Sequence, residues 1–383
     1  MLNSCTERLG AIIADAARLM ASESPSDDLE AIARSADVVA EVVGARLAEV
    51  GLPAIPERIV VAGRTHLRWR FGGGGRVVLL THHDTVWPIG TLARLPIRST
   101  EGVLTGPGCF DMKVGLSQAV HAIAALAKAD GPQAVDGVTL LCTGDEEIGS
   151  PTSRKLIEDE CRRAKAVLVL EAAGPDGSLK TARKGAATYT VEAFGRASHA
   201  GLEPEKGINA AIEIAAQISV IAALGDETHG TTVTPTRLRA ETTANTVPAH
   251  ARLEVDVRAM TAAEQHRVDH EMRSLRPVLS GSHLEVSGGI SRPVMDRAHT
   301  AHLYARAKAL AAAAGIHPLH AIAVAGASDG NVAAGIGVPT LDGLGAVGGG
   351  AHSDDEHVVI ENIPHRTALV ALLIQDSLAG GGR

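Results

Sequence analysis

An α/β fold with an α+β unit inserted into it is what the sequence predicts. Three observations carry that expectation: apolar runs alternating with helical stretches in the first half, a middle region of period-two alternation, and a return of the first pattern towards the C-terminus. At 383 residues the chain exceeds the usual size of one hydrophobic core, which favours two domains or one core with a large insertion.

The first element is SDDLEAIARSADVVAEVVGARLAEVGLP. Asp27 is a candidate N-cap with Glu30 three positions on, a capping-box arrangement, and Leu29, Ile32, Ala36, Val39, Val43 and Val50 recur at helical spacing. Gly51 and Pro53 supply the stop. Next, HLRWRFGGGGRVVLLTHHD predicts a strand, a glycine hairpin turn and a buried strand. The four glycines are not a phosphate loop, because no Lys-Ser/Thr follows and a strand comes where a helix should start.

Two further apolar runs, GVTLLCTGDEE and AKAVLVLEAA, also end in acidic residues, and helical stretches follow the first strand pair (KVGLSQAVHAIAALAKADG) and the second (SPTSRKLIEDECRRAKA). Such alternation predicts a sheet covered on both faces, whose chemistry gathers beyond the carboxyl ends of the strands. From about Lys180 the texture changes. AATYTVEAFG and HARLEVDVRAM alternate as half-solvated strands do, with the alanine-rich helix candidate GINAAIEIAAQISVIAAL between them. After SRPVMD the first texture resumes. The expected organisation is one split domain, 1–180 and 294–383, with residues 181–293 inserted.

Aromatic residues make up 2% of the chain and the formal net charge is -8, which argues against a nucleic-acid reader that needs stacking rings and a basic surface. Cys5, Cys109, Cys142 and Cys161 show neither CxxC spacing nor the density of a disulfide scaffold. Charged Glu7, Arg8 and Asp15 interrupt the N-terminal apolar residues, and no run of about 18 apolar residues could span a bilayer. The expectation is a soluble cytoplasmic protein without a membrane partner.

Five clusters could carry chemistry. In THHDTVWPIG, strand alternation puts Asp84 on the side of His82 while His83 points away, so His82 could bind a metal with Asp84 orienting it. Taken singly, such a triplet is more often a structural strand end. GPGCFDMKVG delivers Asp111 from a tight loop, either as a ligand or as a helix N-cap; Lys113 reads as a solvated neighbour and Cys109 as a packed small residue. TGDEEIGSP sets three acids side by side, which repel unless something positive collects them. Glu171 ends a very apolar strand and needs a partner, and His352 lies in the glycine-rich loop GGGAHSDDEHV. Together His82, Asp111, Glu147, Glu171 and His352 form the inventory for two metal ions sharing one carboxylate.

In order along the chain, HHDTV, GPGCFDMKVG, TGDEEIGS, LEAAGPDG, ASHAG, ANTVPAHARLEVDVR, SRP and GGGAHSDDEHV resemble the co-catalytic dinuclear zinc peptidase and deacylase family, peptidase family M20, and its glutamate carboxypeptidase branch most closely. The resemblance implies a mixed-sheet, phosphorylase/hydrolase-like catalytic domain with an inserted α+β lid and dimerisation domain. It implies two zinc ions per subunit, with cobalt or manganese as substitutes. His82 and Glu171 would complete one site, Glu147 and His352 the other, with Asp111 bridging and a cis peptide at Asp111-Met112. Glu146 matches the family's general base. His199 matches a histidine that reaches the partner subunit's active site, Asn245 and Arg258 match substrate-binding residues, and Arg292 matches an arginine that clamps a terminal carboxylate.

The implied function is hydrolysis of an amide bond to a carboxylate-bearing amino acid, on a small N-acyl amino acid or peptide-like substrate, by a homodimer. A small-acyl deacylase of the acetylornithine or succinyl-diaminopimelate type is the rival within the enzyme class. The rival outside it is a non-catalytic metal-stabilised scaffold, whose mark would be loss of the base or a ligand; none is lost.

Overall fold

A computed structural model of the chain describes residues 1–73 and 75–380. The chain divides into two compact units: Met1–Ala182, Arg297–Val324 and Ser328–Arg383 in the first, Arg183–Asp296 with Ala325–Ala327 in the second.

In the first unit, helix α1 (Leu29–Ala48) precedes strands β1 (Glu57–Val61), β2 (Arg64–Arg70) and β3 (Val77–His82). Then come α2 (Val114–Asp130), β4 (Val138–Thr143), α3 (Arg154–Cys161) and β5 (Ala166–Val169). The α1 cap is Asp28, one residue later than the spacing suggested. Asp28 has extended backbone and its carboxylate accepts the Ala31 N–H at 2.9 Å, leaving Glu30 in the first turn, where it complements the helix dipole.

The described strands form a six-stranded mixed sheet, completed by a short strand Thr340–Leu341, in the order β1, β2, β4, β3, β5, Thr340–Leu341. The expected β2–β3 hairpin is therefore corrected. β4 lies between them, antiparallel to β2 and parallel to β3. The reason is burial: every residue of β3 is buried, so its backbone needs a ladder on both edges, and Leu79 pairs with Leu140 on one side and Leu168 on the other. Gly74 of the glycine run lies outside the described residues.

Strand alternation sorts the core into two layers. Val77 and Leu79 pack with Ile123 of α2 and Leu373 of the C-terminal helix Asn362–Ala379, whereas Val78 and Leu80 pack with Ile157 of α3 and Val332. Because β3, β4 and β5 run parallel, His82, the turn after Thr143 and Glu171 all emerge at one edge of the sheet. Among the described residues no helix is long and apolar enough to cross a membrane.

In the second unit, β6 (Gly185–Phe194), α4 (Ala210–Ala222), β7 (Thr232–Arg239), β8 (His250–Ala259), α5 (Ala262–Arg273) and β9 (His283–Arg292) follow one another. The four strands are antiparallel in the order β7, β8, β6, β9. One face is apolar: Tyr189, Val191, Leu253 and Val255 pack with Ile214 of α4 and Val268 of α5. Their polar alternates face outward, as the period-two pattern demands.

Candidate metal centre

His82 closes β3 and is 1% exposed. Its Nδ1 lies 3.0 Å from the Asp84 carbonyl oxygen, which leaves Nε2 directed at carboxylates, 3.2 Å from Asp111 Oδ1 and 3.5 Å from Glu171 Oε1. On the other side, His352 Nε2 lies 3.5 Å from Asp111 Oδ2 and 3.1 Å from Glu147 Oε2. The two oxygens of Asp111 thus face two different histidines, each joined by a further carboxylate. The Asp111-Met112 peptide is cis, and His352 has a positive φ of 62°.

The charges in this cluster are unbalanced in a way that suits cations. Burial pushes the Glu147 carboxyl up to about 7, against the pull of His352, and its Oε1 is buried with no hydrogen-bond partner among the described residues. Burial opposes protonation of His82, yet hydrogen bonds to Asp111, Asp84 and Glu171 carry its pKa well above the usual value. Asp111 moves the opposite way: burial would raise it, and hydrogen bonds from His352 and His82 hold it well below the usual carboxylate range. His352 rises to about 10 beside Asp111 and Glu147. A set of imidazole nitrogens and carboxylate oxygens with an orphaned buried oxygen fits divalent ions of the zinc type. One ligand atom each from His82, Asp111 and Glu147, and likewise from His82, Glu146 and Glu171, lie within 4.8 Å of one another.

Asp84 does more than the orienting role read from the sequence. Its carbonyl is the closer contact to His82, the carboxylate standing 3.5 Å away. That carboxylate accepts the Glu146 and Glu147 N–H groups at 3.2 and 3.1 Å and the Ser26 hydroxyl at 2.7 Å. Burial works against its charge, but His82, followed by the Ser26 hydroxyl, holds it down at about 2. Asp145, the first acid of the triplet, turns inward and accepts from the backbone and hydroxyls of Thr152 and Ser153 at 2.5–3.2 Å. The repulsion expected of three adjacent acids is relieved because one anchors the turn while Glu146 and Glu147 are presented by it.

Two neighbours behave as braces. His83 points away from the cluster to Ser35 and the Thr65 carbonyl, and burial drives its pKa down to about 4, so it is neutral. Lys113 is not solvated as expected. It is 1% exposed, donates to Ser24 Oγ at 2.8 Å and to the His83 carbonyl at 2.7 Å, and burial lowers its pKa to about 8. Its ammonium ties the segment after β3 to the loop before α1, a use of lysine that composition does not reveal. Cys109 is fully buried, and burial pushes its thiol up.

The remaining candidates belong to the second unit. His199 Nδ1 accepts the Gly201 and Leu202 N–H groups, both at 3.1 Å, which places the ring proton on Nε2 as a free donor of the exposed ring. The Asn245 carbonyl accepts the Ala200 N–H at 2.8 Å, bringing Asn245 beside His199. Arg258 and Arg292 both pair in register with Ala186, from the two strands flanking β6. Arg258 makes a bidentate pair with Asp256, 2.9 Å for each contact.

Sequence reasoning missed Ser24, Ser26 and Glu356. The first two carried no signal. Glu356 stands in the acidic run beside His352, where nothing in the sequence distinguishes it from Asp354 and Asp355.

Residues 78–376 match the profile described as Peptidase family M20/M25/M40. Carboxypeptidase G2 of Pseudomonas sp. (strain RS-16) is 30% identical over 391 aligned residues, covering 99% of this chain and 92% of that protein. A succinyl-diaminopimelate desuccinylase of Rhodospirillum rubrum is 33% identical over 149 residues, 34% of this chain and 38% of that enzyme. The aminopeptidase PepT structure from Bacillus cereus superposes with a TM-score of 0.69 at 23% identity, covering 97% of this chain and 98% of that one, a likeness of fold.

Proposed function

The chain belongs to peptidase family M20/M25/M40, an amide-bond hydrolase family, and from that premise we propose a zinc-dependent enzyme that releases an acidic amino acid such as glutamate from an N-acyl or peptide-like substrate. The observation that carries this reading is Asp111, whose two oxygens each face a histidine. His82, Asp111 and Glu171 would hold one ion, and Asp111, Glu147 and His352 the other. When bound, two such ions lower the pKa of a shared water and polarise the scissile carbonyl.

The chain's own groups supply the rest. Glu146 takes the proton of the attacking water and hands it to the leaving nitrogen. Its place on a turn whose N–H groups are tied to Asp84 supports this role. Reaching the active site of the other subunit of a dimer, the Nε2–H of His199 donates to the oxygen on which charge develops, with Asn245 beside it. Arg258 and Arg292 select a substrate carboxylate through paired N–H contacts.

A homodimer built through the second unit goes with this proposal, and α4 supports it. Its outer face carries Ile212 and Val220, 55% and 46% exposed, with Ala215 and Ser219 between them. The only charged residue of α4, Glu213, is turned inward to the Val278 and Leu279 N–H groups and the Ser282 hydroxyl. An uncharged helix face suits a second copy of the same helix. Ile212→Glu is expected to halve the mass found by sedimentation while the melting temperature of the second unit stays within a few degrees; a mass unchanged from the parent contradicts this interface. A cytoplasmic location also belongs to the proposal, supported by four cysteines that are all free and buried.

The substrate reading is tested with a panel of N-acyl-glutamates set against N-acetyl and N-succinyl derivatives of other amino acids. Turnover confined to the glutamates supports the carboxypeptidase reading. Turnover that follows the acyl group, whatever the amino acid, supports the deacylase reading instead. In the first case Arg292→Ala is expected to raise KM by roughly 10- to 200-fold, the loss of a charge-assisted pair worth about 1.5–3 kcal/mol.

A further inference from the structure

Glu356 is 3% exposed, and among the described residues no arginine, lysine or histidine pairs with it. Its carboxylate instead accepts four N–H groups, two on each oxygen. Gly108 N and Trp87 Nε1 donate to Oε2, both at 2.8 Å; Phe110 N and Asp111 N donate to Oε1 at 2.9 and 3.0 Å. The three backbone donors lie in the loop that delivers Asp111, where no strand ladder satisfies them, and Trp87 lies three residues beyond Asp84. Glu356 itself follows His352 by four residues. One side chain therefore joins the segments that carry His82, Asp111 and His352, while Asp84 ties in the segment carrying Glu147.

We propose that Glu356 is a positioning residue that sets the spacing between Asp111 and the two histidines, and so tunes the affinity of the metal centre without touching an ion. The inference rests on the dinuclear reading given above. A carboxylate is required because every partner is a donor: four N–H groups fill the acceptor capacity of an ionised carboxyl. Glutamine has nearly the same shape but turns an NH2 towards two of those donors, leaving buried N–H groups unpaired and freeing the loop to shift. The sense of the effect on binding follows, since groups that orient ligands from outside typically carry 10- to 100-fold of the affinity.

The test uses the full chain, stripped of metal and titrated with zinc against a chromophoric chelator, for the parent, Glu356→Gln and Trp87→Phe. Amide hydrogen exchange of the metal-free proteins is followed by mass spectrometry over the Gly106–Lys113 segment. Glu356→Gln is expected to bind zinc roughly 10- to 100-fold more weakly. Its exchange rises at the Gly108–Asp111 amides while the β3 and β4 amides stay protected. Trp87→Phe removes one donor of four and is expected to bind measurably more weakly than the parent, by less than about tenfold. Unchanged zinc affinity in Glu356→Gln overturns the proposal, as does a loss accompanied by faster exchange throughout the core strands, which is what a merely structural residue gives. Should Glu356→Gln fail to fold, Trp87→Phe decides, and parental affinity with parental exchange in that variant overturns it. A parent protein that binds no zinc contradicts the dinuclear reading itself, which separates the two failures.

Discussion

Glu146→Gln yields a protein that keeps its metal and its substrate affinity and turns over roughly 10²- to 10⁴-fold more slowly, the range a positioned general base supplies. The glutamine is almost isosteric, and the turn is held from below by the Asp84 carboxylate at 3.2 Å from the Glu146 N–H and by the inward anchor of Asp145. The geometry of the cluster should therefore survive, and only the proton acceptor is lost. The measurement is kcat and KM on the best substrate of the panel, with metal content determined on the same preparation. A fall in kcat with KM and metal unchanged assigns the base. Equal loss of metal and activity would show that Glu146 acts as a ligand, and undiminished turnover would remove it from the chemistry.

The second large effect is expected at Asp111. Its two oxygens serve both histidine sides, so Asp111→Asn replaces one of them by an NH2 that cannot ligate a cation. Both sites are damaged by one substitution. The expected result is zinc affinity weakened by more than the 10- to 100-fold typical of outer partners, with hydrolysis reduced at least in proportion. Glu171→Gln should differ in kind, because Glu171 stands 3.5 Å from His82. It weakens one site and spares the other. Equilibrium dialysis against graded zinc separates the cases: one residual site in Glu171→Gln and none of comparable strength in Asp111→Asn. Two undisturbed sites in Asp111→Asn would deny it the bridging role.

Much of this architecture was legible from residues alone, for identifiable reasons. Strands β3, β4 and β5 announce themselves as short apolar runs because they are buried on both faces and end where the chain turns polar. The same abruptness marks His82, the Glu146–Glu147 pair and Glu171, since polar groups at the end of a buried strand need a reason to be there. Strand order was not legible. A glycine run between two strands looks the same whether the strands pair or a third slips between them, and here β4 pairs with both. The α1 cap fell one residue off because Asp27 and Asp28 are chemically equivalent until the backbone chooses which is extended.

The supporting groups were hidden more deeply. Lys113 looks like any helix-start lysine, and only tertiary packing turns it inward to Ser24 and the His83 carbonyl. Glu356 sits in a string of acids whose solvated members, Asp354 and Asp355, mask the buried one. Such residues satisfy donors that belong to remote segments, so their roles exist only once the loops have been brought together.

The measurement that tests the central claim most directly is metal content per chain, paired with hydrolysis of an N-acyl-glutamate before chelation, after it, and after zinc is returned. The account predicts about two ions per chain, activity lost on their removal and recovered as zinc refills the sites. A chain that purifies without metal and shows no activity that zinc can restore would contradict it, leaving the convergence of His82, Asp111, Glu147, Glu171 and His352 without a catalytic purpose.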